Sequence, residues 1–80
     1  MQFVAKVKQN MANMSDEALL QARERIKKTY NFYWKIIQEK NIDLTKPRGK
    51  SAKENCNEIN SVGLKIKAEI EKRNINLSQN

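Results

Sequence analysis

From Met1 to Lys46 the chain contains neither glycine nor proline, and beyond that point it has only Pro47, Gly49 and Gly63. Glycine and proline are the strongest punctuators of regular structure, so a backbone this poor in them is steered toward long helices. Apolar spacing agrees. Leu19, Ala22, Ile26, Tyr30, Tyr33 and Ile37 step by three or four residues, which draws one apolar face on a helix. Ser15 is a suitable N-cap for it, and Asp16 and Glu17 place negative charge at the positive end of the helix dipole. This pattern predicts a helix over about 15–41.

A second helix is predicted over about 51–73. Ser51 and Glu54 match a capping box. Ala52, Cys56, Ile59, Gly63, Ile66 and Ile70 repeat the same stepping, and Val62 widens the stripe. Folding about Pro47 sets Gly63 near Tyr30 and Tyr33, where a missing side chain makes room for a ring or marks a kink. In residues 1–14, Val4, Val7, Met11 and Met14 suggest a short helix or arm, with Phe3-Ala5-Val7 leaving a short strand as the alternative. The end, 74–80, reads as a polar tail. The expectation is an all-α chain: an antiparallel helical hairpin plus a short N-terminal helix, forming a three-helix bundle or a helical dimer.

Eighty residues make one small domain with a modest core. Cys56 is the single cysteine and histidine is absent, which excludes an intrachain disulfide and argues against a zinc site. Self-association is then the easy route to a larger core. No apolar run approaches the ~18–20 residues that cross a bilayer. Lys6 and Lys8 interrupt the N-terminal apolar residues where a signal peptide would need continuity. The expected location is the cytoplasm, with membrane binding disfavoured. Ten Asn residues among many Lys and Ile give the bias of AT-rich coding, common in bacteriophage and mobile-element genes.

The net charge of +7 favours polyanionic partners. Its densest cluster surrounds "TKPRGKS", residues 45–51, whose last three letters end like a nucleotide-binding P-loop. A P-loop requires a further glycine where Leu44 stands, and a preceding strand. Nucleotide hydrolysis is rejected on both counts. "KPRGK" is similar to the Pro-Arg-Gly-Arg-Pro core of AT-hook peptides, with Lys50 replacing the second Arg and Ser51 the closing Pro. Only five residues carry that similarity, and Lys lacks the flat guanidinium of a groove reader. The favoured reading of the segment is a turn between helices that presents Lys46, Arg48, Lys50 and Lys53 as a positive tip.

Along the first long helix, Lys27, Lys28, Lys35 and Trp34 lie mostly off the apolar stripe, a pattern suited to phosphate contact and base stacking. Against this, the favoured placement has Trp34 and Leu20 cover the core from the other side, under the N-terminal helix, which is compatible with base stacking if the Trp edge is exposed. Glu69 and Arg73 read as a solvated i,i+4 pair. Catalysis has little to work with: no histidine, and Cys56 sits on the apolar face as a packed, inert thiol. No cofactor or metal is expected. The chain is therefore read as a non-enzymatic regulatory or accessory protein binding nucleic acid, DNA or RNA, through phosphates with little sequence specificity. The alternative is an inhibitor or adaptor presenting Phe3, Phe32, Trp34 or Leu64 to an acidic protein surface.

Overall fold

The computed structural model describes residues 2–75, so most of the expected polar tail, 76–80, lies outside the described residues. Three α-helices follow in order: α1 (Gln2–Asn10), α2 (Asp16–Ile37) and α3 (Pro47–Lys72), with a 3₁₀ turn at Met11–Asn13 between the first two. Among the described residues there is no strand, so Phe3-Ala5-Val7 is helical. Helices α2 and α3 form the expected antiparallel hairpin. At one end Arg48 meets Glu39, and at the other Arg73 meets Asp16.

The first half of the predicted α2 stripe and most of the α3 stripe form the core, while Tyr30, Tyr33 and Ile37 are half-buried. Leu19, Ala22 and Ile26 of α2 pack against Ile59, Val62, Ile66 and Ile70 of α3, and Val4 and Val7 of α1 with Met11 of the 3₁₀ turn close the cluster. Leu19, Ile59 and Val62 are wholly out of water. Such side chains stabilise by about 1.5–3 kcal/mol each. Helix α1 lies along one side of the hairpin. Arg25 of α2 stacks its guanidinium 3.9 Å over the Phe3 ring, and Lys8 pairs with Glu58 of α3 at 3.8 Å.

Local signals held at the start of α2, where Ser15 Oγ accepts a hydrogen bond from the Ala18 N–H at 3.1 Å. The hairpin's other limits differ from expectation. Helix α2 ends at Ile37, four residues short of position 41, and Gln38 is its C-cap. Asn41 then adopts a φ of 70°, a left-handed conformation that Asn tolerates better than most residues. Helix α3 starts at Pro47, earlier than Ser51, with Lys46 as an N-cap that makes no side-chain bond. Proline suits the first helical position because its missing N–H has no partner there and its φ is preset. Thus Ser51 lies within the helix, the Ser51–Glu54 capping box does not start it, and Pro47-Arg48-Gly49 is the helix's opening turn. The bend is 38–46 instead.

Asp43 organises that bend. Its Oδ1 accepts from the Thr45 N–H at 2.8 Å and the Thr45 hydroxyl at 2.6 Å, while its carbonyl accepts from the Lys46 N–H at 3.1 Å. Glu39 reaches across to both guanidinium nitrogens of Arg48, one of them at 2.8 Å. The Thr45 hydroxyl, then the Thr45 N–H, hold the Asp43 carboxyl below its usual 3.8, and the Arg48 hydrogen bonds hold Glu39 below its usual 4.5. Depressed carboxylates stabilise fully above those usual values and lose that contribution as pH falls through the lowered ones. The Thr45 and Arg48 amide signals are therefore expected to stay unchanged between pH 7 and 5 and to move at more acid pH, as Asp43 titrates below its usual 3.8 and Glu39 below its usual 4.5. Movement near neutral pH would contradict this loop.

The end of α3 is also built rather than frayed. The Ile75 N–H donates to the Ile70 carbonyl at 3.2 Å and the Asn74 N–H to Glu71 at 3.1 Å, with Asn74 at a φ of 57°. This is a Schellman closure with Asn at the left-handed position, and Ile75 packs onto the core beside Ile70. Nor is Arg73 part of a solvated pair. Its side chain is 18% exposed and donates to Glu69 Oε2 at 2.8 Å, the Met14 carbonyl at 2.6 Å, the Met11 carbonyl at 3.0 Å and Asp16 Oδ1 at 3.1 Å.

Candidate functional site

Helix α1 covers one side of the hairpin and leaves the other open. Glu58, which meets α1, and Lys67 stand nine residues apart on α3, half a turn around the helix. On that second side lie four adjoining depressions that share lining residues, three between α2 and α3 and the fourth between the bend and α3. None is lined by a residue of α1. The one furthest from the bend, about 300 Å³, has a floor of Ile26, Gly63, Ile66 and Ile70 between Arg23, Lys27 and Lys67. Next to it Tyr30, Asn60 and Leu64 continue the groove, and Leu64 is 61% exposed. Beyond Tyr30 the walls are Trp34, Ile37, Leu44, Lys53 and Cys56, and the last stretch reaches Lys50 at the bend.

Gly63 opens this groove. It faces Ile26 and shares a depression with Tyr30, but no ring atom lies within 4 Å of where its Cβ would be, and α3 continues through it as helix. A Cβ built there would meet only Ile26 Cγ2, at 3.6 Å, an ordinary van der Waals contact. Intramolecular packing therefore does not demand glycine at 63, although glycine inside a helix costs about 0.5–1 kcal/mol relative to alanine. Gly63→Ala is expected to raise the stability of the free protein by about that amount, measured by thermal or denaturant unfolding. A loss of stability would mean that the seam is closed by something the geometry lacks.

The groove is basic. Its charged lining residues are Arg23, Lys27, Lys50, Lys53 and Lys67 against Glu54 and Glu71. Glu24, outside it, sits 3.0 Å from Arg23 and 3.8 Å from Lys27. Lys50, Lys53 and Lys67 make no ion pair among the described residues.

The expected site residues divide. The groove brings together Lys27, Trp34, Lys50 and Lys53. Lys46, exposed, precedes α3 at the same end. Arg48 is exposed too, but its guanidinium is engaged by Glu39, so the positive tip consists of lysines. Lys28 borders a separate shallow depression with Leu20, Glu24 and Arg25. Lys35, seven residues on, shares that flank of α2 by helical repeat. Trp34 is not buried under α1. It is 42% exposed and stacked on Tyr30, ring centroids 6.1 Å apart.

Of the apolar side chains considered for a protein partner, Leu64 borders the groove, Phe3 lies under Arg25, and Phe32 is 61% exposed with its ring edge-on to Tyr33. Cys56 is buried, and desolvation pushes its thiol up, which keeps it protonated and unreactive. Arg23, Ile26, Leu44 and Lys67 were not foreseen as groove residues. The signal for them was Gly63 alone, an unfavourable residue in an otherwise continuous helical stripe. No protein family, curated protein or solved structure matches this chain. No helix among the described residues is long and apolar enough to cross a membrane.

Proposed function

We propose that this chain is a small non-enzymatic adaptor or inhibitor that binds another protein in the basic-edged apolar groove between α2 and α3. The supporting observation is a seam that α1 leaves uncovered, where exposed Leu64 and half-exposed Trp34 stand beside buried Ile26 and Ile66 and are flanked by cations. Apolar floors and charged edges are the anatomy of a protein-binding surface, with the apolar part supplying affinity and the charges orientation and on-rate. A pure phosphate-tracking surface has no need of an exposed leucine beside its cations.

Nucleic-acid binding is the second reading. It is favoured by one observation: the half-exposed Trp34 ring beside Lys53, with Lys50 and Lys46 near it. Ion pairing of Arg48 with Glu39 weakens it, because that guanidinium must leave a partner before it meets phosphate.

The two readings separate in affinity recovery from nuclease-treated extract by the whole protein and three variants. Adaptor function predicts one stoichiometric protein, retained by Lys46→Glu and reduced about tenfold or more by Leu64→Glu or Lys67→Glu. A leucine fully covered on binding contributes about 1.5–3 kcal/mol, and 1.4 kcal/mol is tenfold. Leu64 and Lys67 are exposed, so neither change disturbs the core. Recovery that disappears with nuclease, or that follows Lys46 and not Leu64, overturns the adaptor reading.

A further inference from the structure

We infer that the occupant of the groove is an acidic amphipathic α-helix of a partner protein, crossing the hairpin at Gly63 with a small residue at its point of closest approach. This inference rests on the adaptor reading and specifies the chemistry of the partner.

The walls of the groove are two helices whose backbone N–H and C=O groups are already paired within each helix. An extended peptide laid between them would bury its own backbone groups with no partner, at a substantial cost. A helix satisfies its backbone internally and meets the seam with side chains alone. The molecule already shows the same solution on its other side, where α1 lays Val4 and Val7 against the hairpin. A second helix opposite α1 would cover half-buried Tyr30 and exposed Leu64 and Trp34 from the free side.

Gly63 sets the distance. A glycine whose Cβ would find room is an unfavourable choice for the isolated fold, and its effect is to let another backbone approach α3. Close helix crossings favour small residues on both partners, hence the Gly or Ala inferred for the occupant.

Charge complementarity selects the sign. Among the groove's lining residues five cations face two carboxylates, and Lys50, Lys53 and Lys67 are unpaired among the described residues. Glu or Asp along the edges of the incoming helix would meet them at hydrogen-bonding range. A second copy of this chain fits poorly. Its groove would bring the same cations face to face, and α1, the one short amphipathic helix it could offer, carries Lys6 and Lys8 and no acid. Like charges brought together disfavour a partner, so the same edges that attract an acidic helix reject self-pairing.

The test is a displayed library of 20-residue helical peptides. Edge positions vary among Glu, Gln and Lys, and the central apolar position varies among Gly, Ala and Leu. A second library of equal composition carries prolines that forbid helix. Both are selected on the full chain and counter-selected on Gly63→Leu, which fills the floor; its circular dichroism spectrum and unfolding midpoint establish that it is folded. We expect Glu-edged helical sequences with a small central residue to be enriched at least tenfold over Lys-edged ones. One selected peptide, as a free synthetic probe, should shift the Gly63 amide resonance and leave that of Gly49 unmoved. Gly63→Ala should weaken it severalfold while the free protein becomes more stable, a pairing that a merely structural role of Gly63 does not produce.

Enrichment of Lys-edged or proline-containing sequences that shift Gly63 would overturn the acidic helix and leave the adaptor reading standing. If neither library yields peptides sensitive to Gly63→Leu, and the recovered partner ignores Leu64→Glu, both fall. A 20-nucleotide single strand that shifts the Gly63 amide as the peptide does would assign the groove to nucleic acid and overturn the inference.

Discussion

Replacing Gly49 with alanine is expected to destabilise the protein by about 1–3 kcal/mol, the range for overpacking a filled site. Gly49 is buried in the first turn of α3, where the loop backbone crosses directly over it. A Cβ at this position would lie 2.3 Å from the Asp43 carbonyl oxygen and 3.0 Å from the Leu44 Cα. Both neighbours are backbone, so no side chain can rotate away. Either α3 moves off the loop or the turn held by Asp43 and Thr45 opens.

Alanine's better helix propensity, about 1 kcal/mol, offsets only part of this. Against a total stability of order 4–12 kcal/mol for a chain this size, the loss is large. The check is denaturant unfolding of Gly49→Ala beside Gly63→Ala. The same chemical change in the same helix should move stability in opposite directions. If Gly49→Ala is neutral or stabilising, the loop does not pack on α3 as described.

The second large effect is expected at Arg73. Its guanidinium gathers the end of α3, the 3₁₀ turn and the start of α2 by donating to Glu69, Met11, Met14 and Asp16. Two of these acceptors are main-chain carbonyls at the turn between α1 and α2, more than fifty residues away in sequence. Arg73→Ala leaves both without this partner and removes the staple between α3 and the turn that joins α1 to α2. The midpoint of thermal unfolding should fall further than for any other single charge removal, with Lys72→Ala, the exposed neighbour, as the reference.

Amide exchange at Val4 and Val7 should accelerate in Arg73→Ala, since α1 is the element released. Arg73→Lys should restore only a fraction, because an ammonium lacks the planar fork that reaches several acceptors at once. A lysine variant equal to the natural protein, or an alanine variant no worse than Lys72→Ala, would reduce Arg73 to a surface charge.

The roles of these two residues are not contained in their sequence neighbourhoods. Gly49 was read as part of a turn and Arg73 as half of a solvated pair, both from neighbours within four positions. The distances that give them their roles join residue 49 to 43 across a loop, and 73 to 11 and 14 across the whole chain. The groove shows the same division. Gly63, Trp34, Lys50 and Lys53 were all singled out from the sequence. That they share one seam with Lys67 and Ile26 depends on how α2 and α3 rotate against each other. Likewise the pairing of Arg48 with Glu39 needed the bend at 38–46 to bring two helix ends together.

The helical class, the apolar faces of α2 and α3, the Ser15 cap and the hairpin followed from the sequence itself. Periodicity, capping and breaker content act over one or two turns, and a residue carries those preferences wherever it is placed. Tertiary structure alone decided that Pro47 opens a helix, which side α1 covers, and which cations keep their charge free. Those outcomes depend on which long-range contacts win when surfaces compete for the same partners, and no window of neighbouring residues contains that competition.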